Sequence, residues 1–158
     1  MSKVPMTIQG EKKIREELRD LTKNKRPNVI RAIAEARAHG DLSENAEYHA
    51  AKEEQGLIEA RIALLEEKLS SAQVIDTASL DAGGKVVFGA TVDLMNLSTD
   101  EEVSYQIVGK MEADIKNRLV SIASPLARAL IGREEGDVVT VQAPSGNIEY
   151  EILEVRYQ

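Results

Sequence analysis

The chain has no cysteine, which excludes disulfides and thiolate-bound metals. It has no tryptophan, one phenylalanine and four tyrosines in 158 residues, too few to build a platform on which nucleic-acid bases could stack. No run of about eighteen apolar residues occurs, so no segment reads as a membrane span. The first residues, Met1-Ser2-Lys3-Val4-Pro5-Met6, lack the apolar stretch of a secretory leader, and a cytoplasmic location is expected. A basic footprint is missing as well. Net charge is −7. Residues 1–75 hold 13 Lys and Arg against 13 Asp and Glu, while residues 76–158 hold 7 against 14. A protein that grips duplex DNA unaided needs a basic surface. Any contact with nucleic acid should therefore be local and assisted by a partner protein.

The first half of the chain carries a helical pattern. Tyr48, Ala51, Gln55, Ile58, Ile62, Leu65, Leu69 and Ala72 step by three and four residues, an apolar seam sustained over about four heptads. An earlier helix is predicted to start at Thr7, a good N-cap. Ile14, Leu18 and Leu21 form its seam. Pro27 then interrupts, with a kink or stutter expected at Arg26-Pro27, and Ile30, Ile33 and Ala34 resume the spacing. Gly40 suits the residue that ends this helix. The connection is short, so the two helices must run antiparallel, as a rod of roughly 45 Å.

At the turn between them stand Asp41 and Glu44. One reading makes Asp41 the N-cap of the second helix and Glu44 its N3 residue, a capping-box pair; Ser43 is an alternative cap. The other reading is chemical. Two carboxylates on a narrow tip can share a hard divalent cation such as Mg²⁺, with the remaining ligands supplied by a partner or by substrate phosphates. Arg31, Arg37 and Lys52 flank the tip, with Arg15, Arg19 and Arg26 further down; they read either as a solvated face or as a track for phosphates. His39 and His49 lie nearby, but a zinc site made from His39, Asp41, Glu44 and His49 would straddle the turn without the register of one helix face. Tyr48 reads as a packing residue that stiffens the tip.

Near Asp76 the pattern changes. Asp81-Ala82-Gly83-Gly84 reads as a linker. Strand-like runs follow at 85–96, 103–108, 119–123, 137–142 and 148–155. Turn signals fall at Ser98-Thr99-Asp100 and Pro144-Ser145-Gly146-Asn147. A short helix is predicted over Pro125–Ile131, capped by Ser124 with Pro125 at its first position. The fold class is thus α+β in two domains: a helical hairpin over 1–75 with its acidic tip at 39–48, a linker at 76–84, and a small antiparallel sheet with one helix over 85–158.

Several stretches resemble the Gre family of bacterial transcript cleavage factors. They are Ala34 to Lys52, which contains Asp41-Leu42-Ser43-Glu44-Asn45-Ala46-Glu47-Tyr48, then Ser121 to Gly132, Met6 to Gly10, and Ala72 to Asp76. The resemblance spans the whole chain, and the charge balance of the first half favours the less basic of the family's branches. It implies a coiled-coil hairpin and an FKBP-like second domain. It implies bacterial RNA polymerase as partner, with the second domain docked on the rim of the secondary channel through Ser124 and Pro125. It implies that the hairpin reaches the active centre when the RNA 3′ end has been extruded by backtracking, and stimulates hydrolysis of that RNA. Asp41 and Glu44 would then help hold a second Mg²⁺ and orient the attacking water, while Arg37 and Lys52 lie near the nascent RNA. The chain would be an accessory factor and not a nuclease alone. Ser43 stands where relatives often have lysine, which lowers the positive charge of the tip. An inhibitory branch of the family keeps the fold without stimulating cleavage. Two other readings are a prolyl isomerase or chaperone, for which residues 76–158 offer only Phe88 and three tyrosines, and a coiled-coil adaptor.

Overall fold

The computed structural model describes residues 3–41 and 44–158. Ser43, one of the candidate caps, lies outside the described residues. The chain forms two compact units, Glu11–Ala72 and Lys3–Gly10 together with Gln73–Gln158. The opening residues, which the sequence pattern groups with the hairpin, thus cluster with the second unit. The reason is a two-stranded sheet in which β1 (Val4–Thr7) pairs with β2 (Ala72–Ile75). No helix among the described residues is long and apolar enough to cross a membrane.

In the first unit, α1 (Ile8–Asp20) begins where the Thr7 hydroxyl oxygen accepts from Gly10 N at 3.0 Å, as the N-cap reading predicts. One π-helical turn, Leu21–Lys25, follows, closed by Arg26 N donating to the Leu21 carbonyl. Then α2 (Arg26–Arg37) starts with Pro27 in its first turn. The wide turn is the expected irregularity. Proline lacks an N–H and its ring crowds the carbonyl four residues back; a turn with five-residue bonds relieves both. The Thr22 hydroxyl donates to the Leu18 carbonyl at 2.9 Å beside it.

The π turn shifts the seam by one residue. A heptad extrapolated from Leu21 would bury positions 28 and 35; the buried residues are Val29 and Ala36. Ile30 is instead 51% exposed, and Ala34 is exposed, which corrects their assignment to the seam. On α3 (Ala46–Ser70) the seam is as read up to Leu69: Ala51, Ile58, Ile62 and Leu65 are buried, while Tyr48, Gln55 and Leu69 are half-buried; Ala72, read as its last residue, instead opens β2. Arg26 grips Glu59 through two 2.8 Å bonds, and Arg61 grips Glu17 at 2.5 and 2.9 Å, so both flanks of the seam carry bidentate pairs.

The second unit is built on a five-stranded sheet of order β5-β4-β3-β7-β6. Its strands are β3 (Thr91–Asn96), β4 (Glu102–Val108), β5 (Leu119–Ser121), β6 (Val138–Ala143) and β7 (Gly146–Arg156), with α4 (Pro125–Leu130) between β5 and β6. The sheet is antiparallel except for β4 and β5, which pair in parallel. Residues 85–90, predicted as the first part of a strand, instead turn: Gly89 has φ +89° and Ala90 N bonds the Val87 carbonyl at 3.1 Å. A bulge on β7 sets Asp93 opposite Glu154 and Leu94 opposite Ile152, leaving Leu153 extra. Ile152 and Val155, three apart, therefore both reach the core with Val92, Leu94, Ile107 and Leu130. Between the sheets, Thr77–Ser79 form one 3₁₀ turn capped by Asp76, and buried Thr77 donates its hydroxyl to the Gln158 carbonyl.

The Glu17 carboxyl is held below the usual glutamate range, chiefly by its hydrogen bonds from Arg61. A carboxylate with a depressed folded pKa stabilises the fold above its unfolded value and loses that contribution as pH falls through the folded one. Both side chains of the pair are more than 40% exposed, so the contribution is at most about 1 kcal/mol. Glu17→Gln is expected to lower hairpin stability slightly at neutral pH. The gap to the parent should close in acid, below the ordinary glutamate range, in denaturant melts followed by circular dichroism.

Candidate functional site

The acidic turn is built by the ends of two helices. Arg37 is the last residue of α2, and Ala38 caps it, with its N–H directed to the Glu35 and Ala36 carbonyls. Gly40 follows with φ +112°, a backbone conformation that side chains disfavour, and this reverses the chain two residues beyond the cap. Asp41 comes next and is exposed; Glu44, also exposed, directly precedes Asn45.

Asn45, and not Asp41, is the N-cap of α3. Its side-chain oxygen accepts from Tyr48 N at 3.0 Å, and its amide nitrogen donates to the Ala36 carbonyl at 2.6 Å. One side chain thus starts α3 and ties it to the end of α2. This corrects the capping-box reading for α3, in which Asp41 begins the helix with Glu44 at its third position: Glu44 has 3₁₀ geometry and precedes Ala46, the first residue of α3. Asn45 is a positioning residue that spacing arguments passed over. Its signal was available, since asparagine is among the best N-caps and stands three residues before Tyr48. Tyr48 is half-buried at the head of the seam, its ring edge-on to His49 with centroids 5.6 Å apart.

The basic flank divides. Arg26 is engaged by Glu59, and Arg15 pairs with Glu11 at 3.1 Å. Near the turn, Arg37, Arg31 and Lys52 are exposed; Arg31 reaches Asn28 at 3.3 Å and Lys52 reaches Gln55 at 3.2 Å, both neutral partners. Among the described residues, no group of three or more His, Cys, Asp or Glu side chains could hold a metal ion. The two carboxylates are hard oxygen donors suited to Mg²⁺, but they fit it only as part of a ligand set completed from outside the chain.

In the second unit, Ser124 caps α4, accepting from Ala127 N at 3.2 Å, and Pro125 is exposed at the first helical position. Phe88, Tyr105, Tyr150 and Tyr157 pack against the core. A groove over β3, β4 and β7 is lined by Asp93, Glu102, Ser104, Arg118, Glu154 and Arg156 among others, with no aromatic ring. That lining does not suit an isomerase pocket. Within it, burial pushes the Asp93 carboxyl up, but bonds from Ser104 (2.5 Å) and Arg156 (2.7 Å) outweigh this and hold it low.

Residues 4–74 match the family described as transcription elongation factor, N-terminal, and residues 81–157 match the GreA/GreB transcription elongation factor C-terminal family. The chain is similar to the transcription elongation factor GreA of Alkalilimnicola ehrlichii, with 65% identity over 157 residues and 99% of each chain covered. It is 63% identical to that of Thioalkalivibrio sulfidiphilus over the same span and shares. It also resembles the crystal structure of the GreA factor homolog 1 (Gfh1) protein of Thermus thermophilus, at 28% identity and a TM-score of 0.43, covering 98% of this chain and 99% of that one.

Replacing Asn45 by alanine should cost about 1–2 kcal/mol, because both the cap and the tie to Ala36 are lost. The expected signature is faster amide exchange at Tyr48 and along the first turn of α3, with the exchange of the second unit unchanged.

Proposed function

The chain belongs to the GreA/GreB family of transcription elongation factors, and from that premise we propose that it promotes cleavage of backtracked RNA by lending Asp41 and Glu44 to the active centre of bacterial RNA polymerase. As an elongation factor it is an accessory to transcription and not an enzyme in its own right. The observation that carries the proposal is the exposed carboxylate pair at the turn of a stiff hairpin, beside exposed cations.

Rigidity is the hairpin's contribution. The buried seam, the ion pairs on its flanks and the Asn45 tie hold the end of α2 and the start of α3 in a fixed relation. The α3 helix alone spans about 37 Å, enough to carry chemistry down a channel that a globular domain could not enter. Pre-positioned groups lower a barrier without new covalent chemistry. Asp41 and Glu44 would hold Mg²⁺ jointly with polymerase and orient the water that attacks the phosphodiester. When bound there, the ion would supply positive charge to the entering and leaving oxygens. Arg37 and Lys52 would hold the phosphates of the extruded RNA 3′ end. Ser124 and Pro125 would form part of the polymerase-docking surface, with the Ser124 hydroxyl also capping α4.

Two carboxylates alone bind Mg²⁺ weakly, which suits the task. The site becomes competent only where polymerase and RNA complete it, so the free protein would not degrade RNA.

The test stalls polymerase in a backtracked state and follows labelled transcript after addition of the protein and Mg²⁺. The parent should shorten the RNA. Asp41→Asn and Glu44→Gln should each slow this by about a hundredfold while still competing for polymerase. Parental cleavage by both variants would refute the role of the carboxylates. A parent that binds polymerase without cleavage would mark the inhibitory branch instead.

A further inference from the structure

The beginning of α1 is held by a polar node that the proposed chemistry does not use. Glu112 lies in the turn after β4. Its Oε2 accepts from Thr7 N at 3.1 Å and Gly109 N at 2.9 Å, and its Oε1 accepts from the Thr7 hydroxyl. The Thr7 oxygen accepts in turn from Gly10 N, the bond that caps α1. Thr7 is 2% exposed, and Gly10 and Gly109 are buried. A Cβ at Gly10 would run into the Glu112 carboxylate, and one at Gly109 would lie 2.8 Å from the Pro5 carbonyl. The backbone has been brought to the carboxylate as closely as glycine permits. A carboxylate with three donors is well compensated; one without them in this setting would be costly.

A purely local role would be to close the turn. Glu112 N already does so by donating to the Gly109 carbonyl at 3.0 Å, without the side chain. The side chain reaches further. Gly109 follows Val108, whose carbonyl accepts from Ile122 N at 2.8 Å, two residues before Ser124. One line of bonds therefore runs from the N-cap of α1 through Glu112 and the end of β4 to the segment containing Ser124 and Pro125. All of it lies within the second unit.

We propose that Glu112 is a positioning residue for transcript cleavage: it fastens the first turn of α1 to the docking segment, so that polymerase's hold on that segment also holds the start of that helix. The proposal rests on the functional reading above. Glu112 itself touches neither RNA nor metal in this scheme.

The test uses the full chain, with amide exchange on the free protein and cleavage in stalled polymerase complexes. In Glu112→Ala, the Gly10 and Gly109 amides should exchange faster. Polymerase binding should match the parent, and cleavage at saturating protein should slow by about ten- to a hundredfold. Glu112→Gln, whose amide oxygen can still accept from both backbone N–H groups, should recover most of the rate. If Glu112→Ala does not fold, Thr7→Val, which removes the hydroxyl at nearly constant shape, must show the same split between binding and rate. Parental cleavage at saturation in the folded variant overturns the proposal, as does binding that weakens in step with cleavage. A parent that stimulates no cleavage would sink the functional reading itself, and this proposal with it, and is distinguished from both by the wild-type control.

Discussion

Everything the hairpin does depends on α3 keeping one apolar face against a first strand of helix that contains a proline. An uninterrupted helix through Pro27 would lose a backbone bond and crowd a carbonyl. The π turn at Leu21–Lys25 resolves this by admitting one more residue, after which Val29 and Ala36 return to the seam. The register of the apolar stripe is broken so that the contact between the helices is not. Cross-hairpin pairs at Glu17–Arg61 and Arg26–Glu59 sit on either side of the irregular turn in sequence. Exposed pairs add little stability, but their bidentate geometry restricts how the helices can slide.

The second unit solves a different problem, that of presenting a short helix firmly. The α4 helix has only six residues and would not persist alone. Ser124 caps it, Pro125 presets its first turn, and Ala127 and Leu130 are fully buried in the core of the sheet. The parallel pairing of β5 with β4 fixes the edge strand from which the chain enters that helix. A surface segment thus inherits the rigidity of the sheet.

Much of this was legible in the amino-acid pattern. The α3 seam, the Thr7 cap, the irregularity at Pro27 and the Ser124-Pro125 start of α4 each follow from local chemistry acting within a few residues. The failures share a cause, which is that long-range partners decide them. Ile30 and Ala34 look like seam residues only if the heptad runs unbroken, and one extra residue rotates them away. The strands β1 and β2 are four residues each and are defined by one another across the length of the hairpin, so neither is conspicuous alone. The β7 bulge places Ile152 and Val155 on one face at a spacing that strict alternation forbids. At the turn, Asp41 and Glu44 matched a familiar capping spacing, and Asn45 took the role because its amide could also reach Ala36 across the hairpin. The chemistry proposed for Asp41, Glu44, Arg37 and Lys52 rests on likeness to a family, since their spacing alone does not distinguish it from a capped helix.

The choice of a neutral amide as the α3 cap separates two demands that one residue could have carried together. Helix initiation is assigned to Asn45, whose bonds are insensitive to charge. Its amide bonds to backbone groups, one at the start of α3 and one at the end of α2, so the tie between the helices carries no charge of its own. A hairpin of this design is a general-purpose holder: the same shaft can present a different set of groups, or none, and so shift from assisting a reaction to merely occupying the space where it happens.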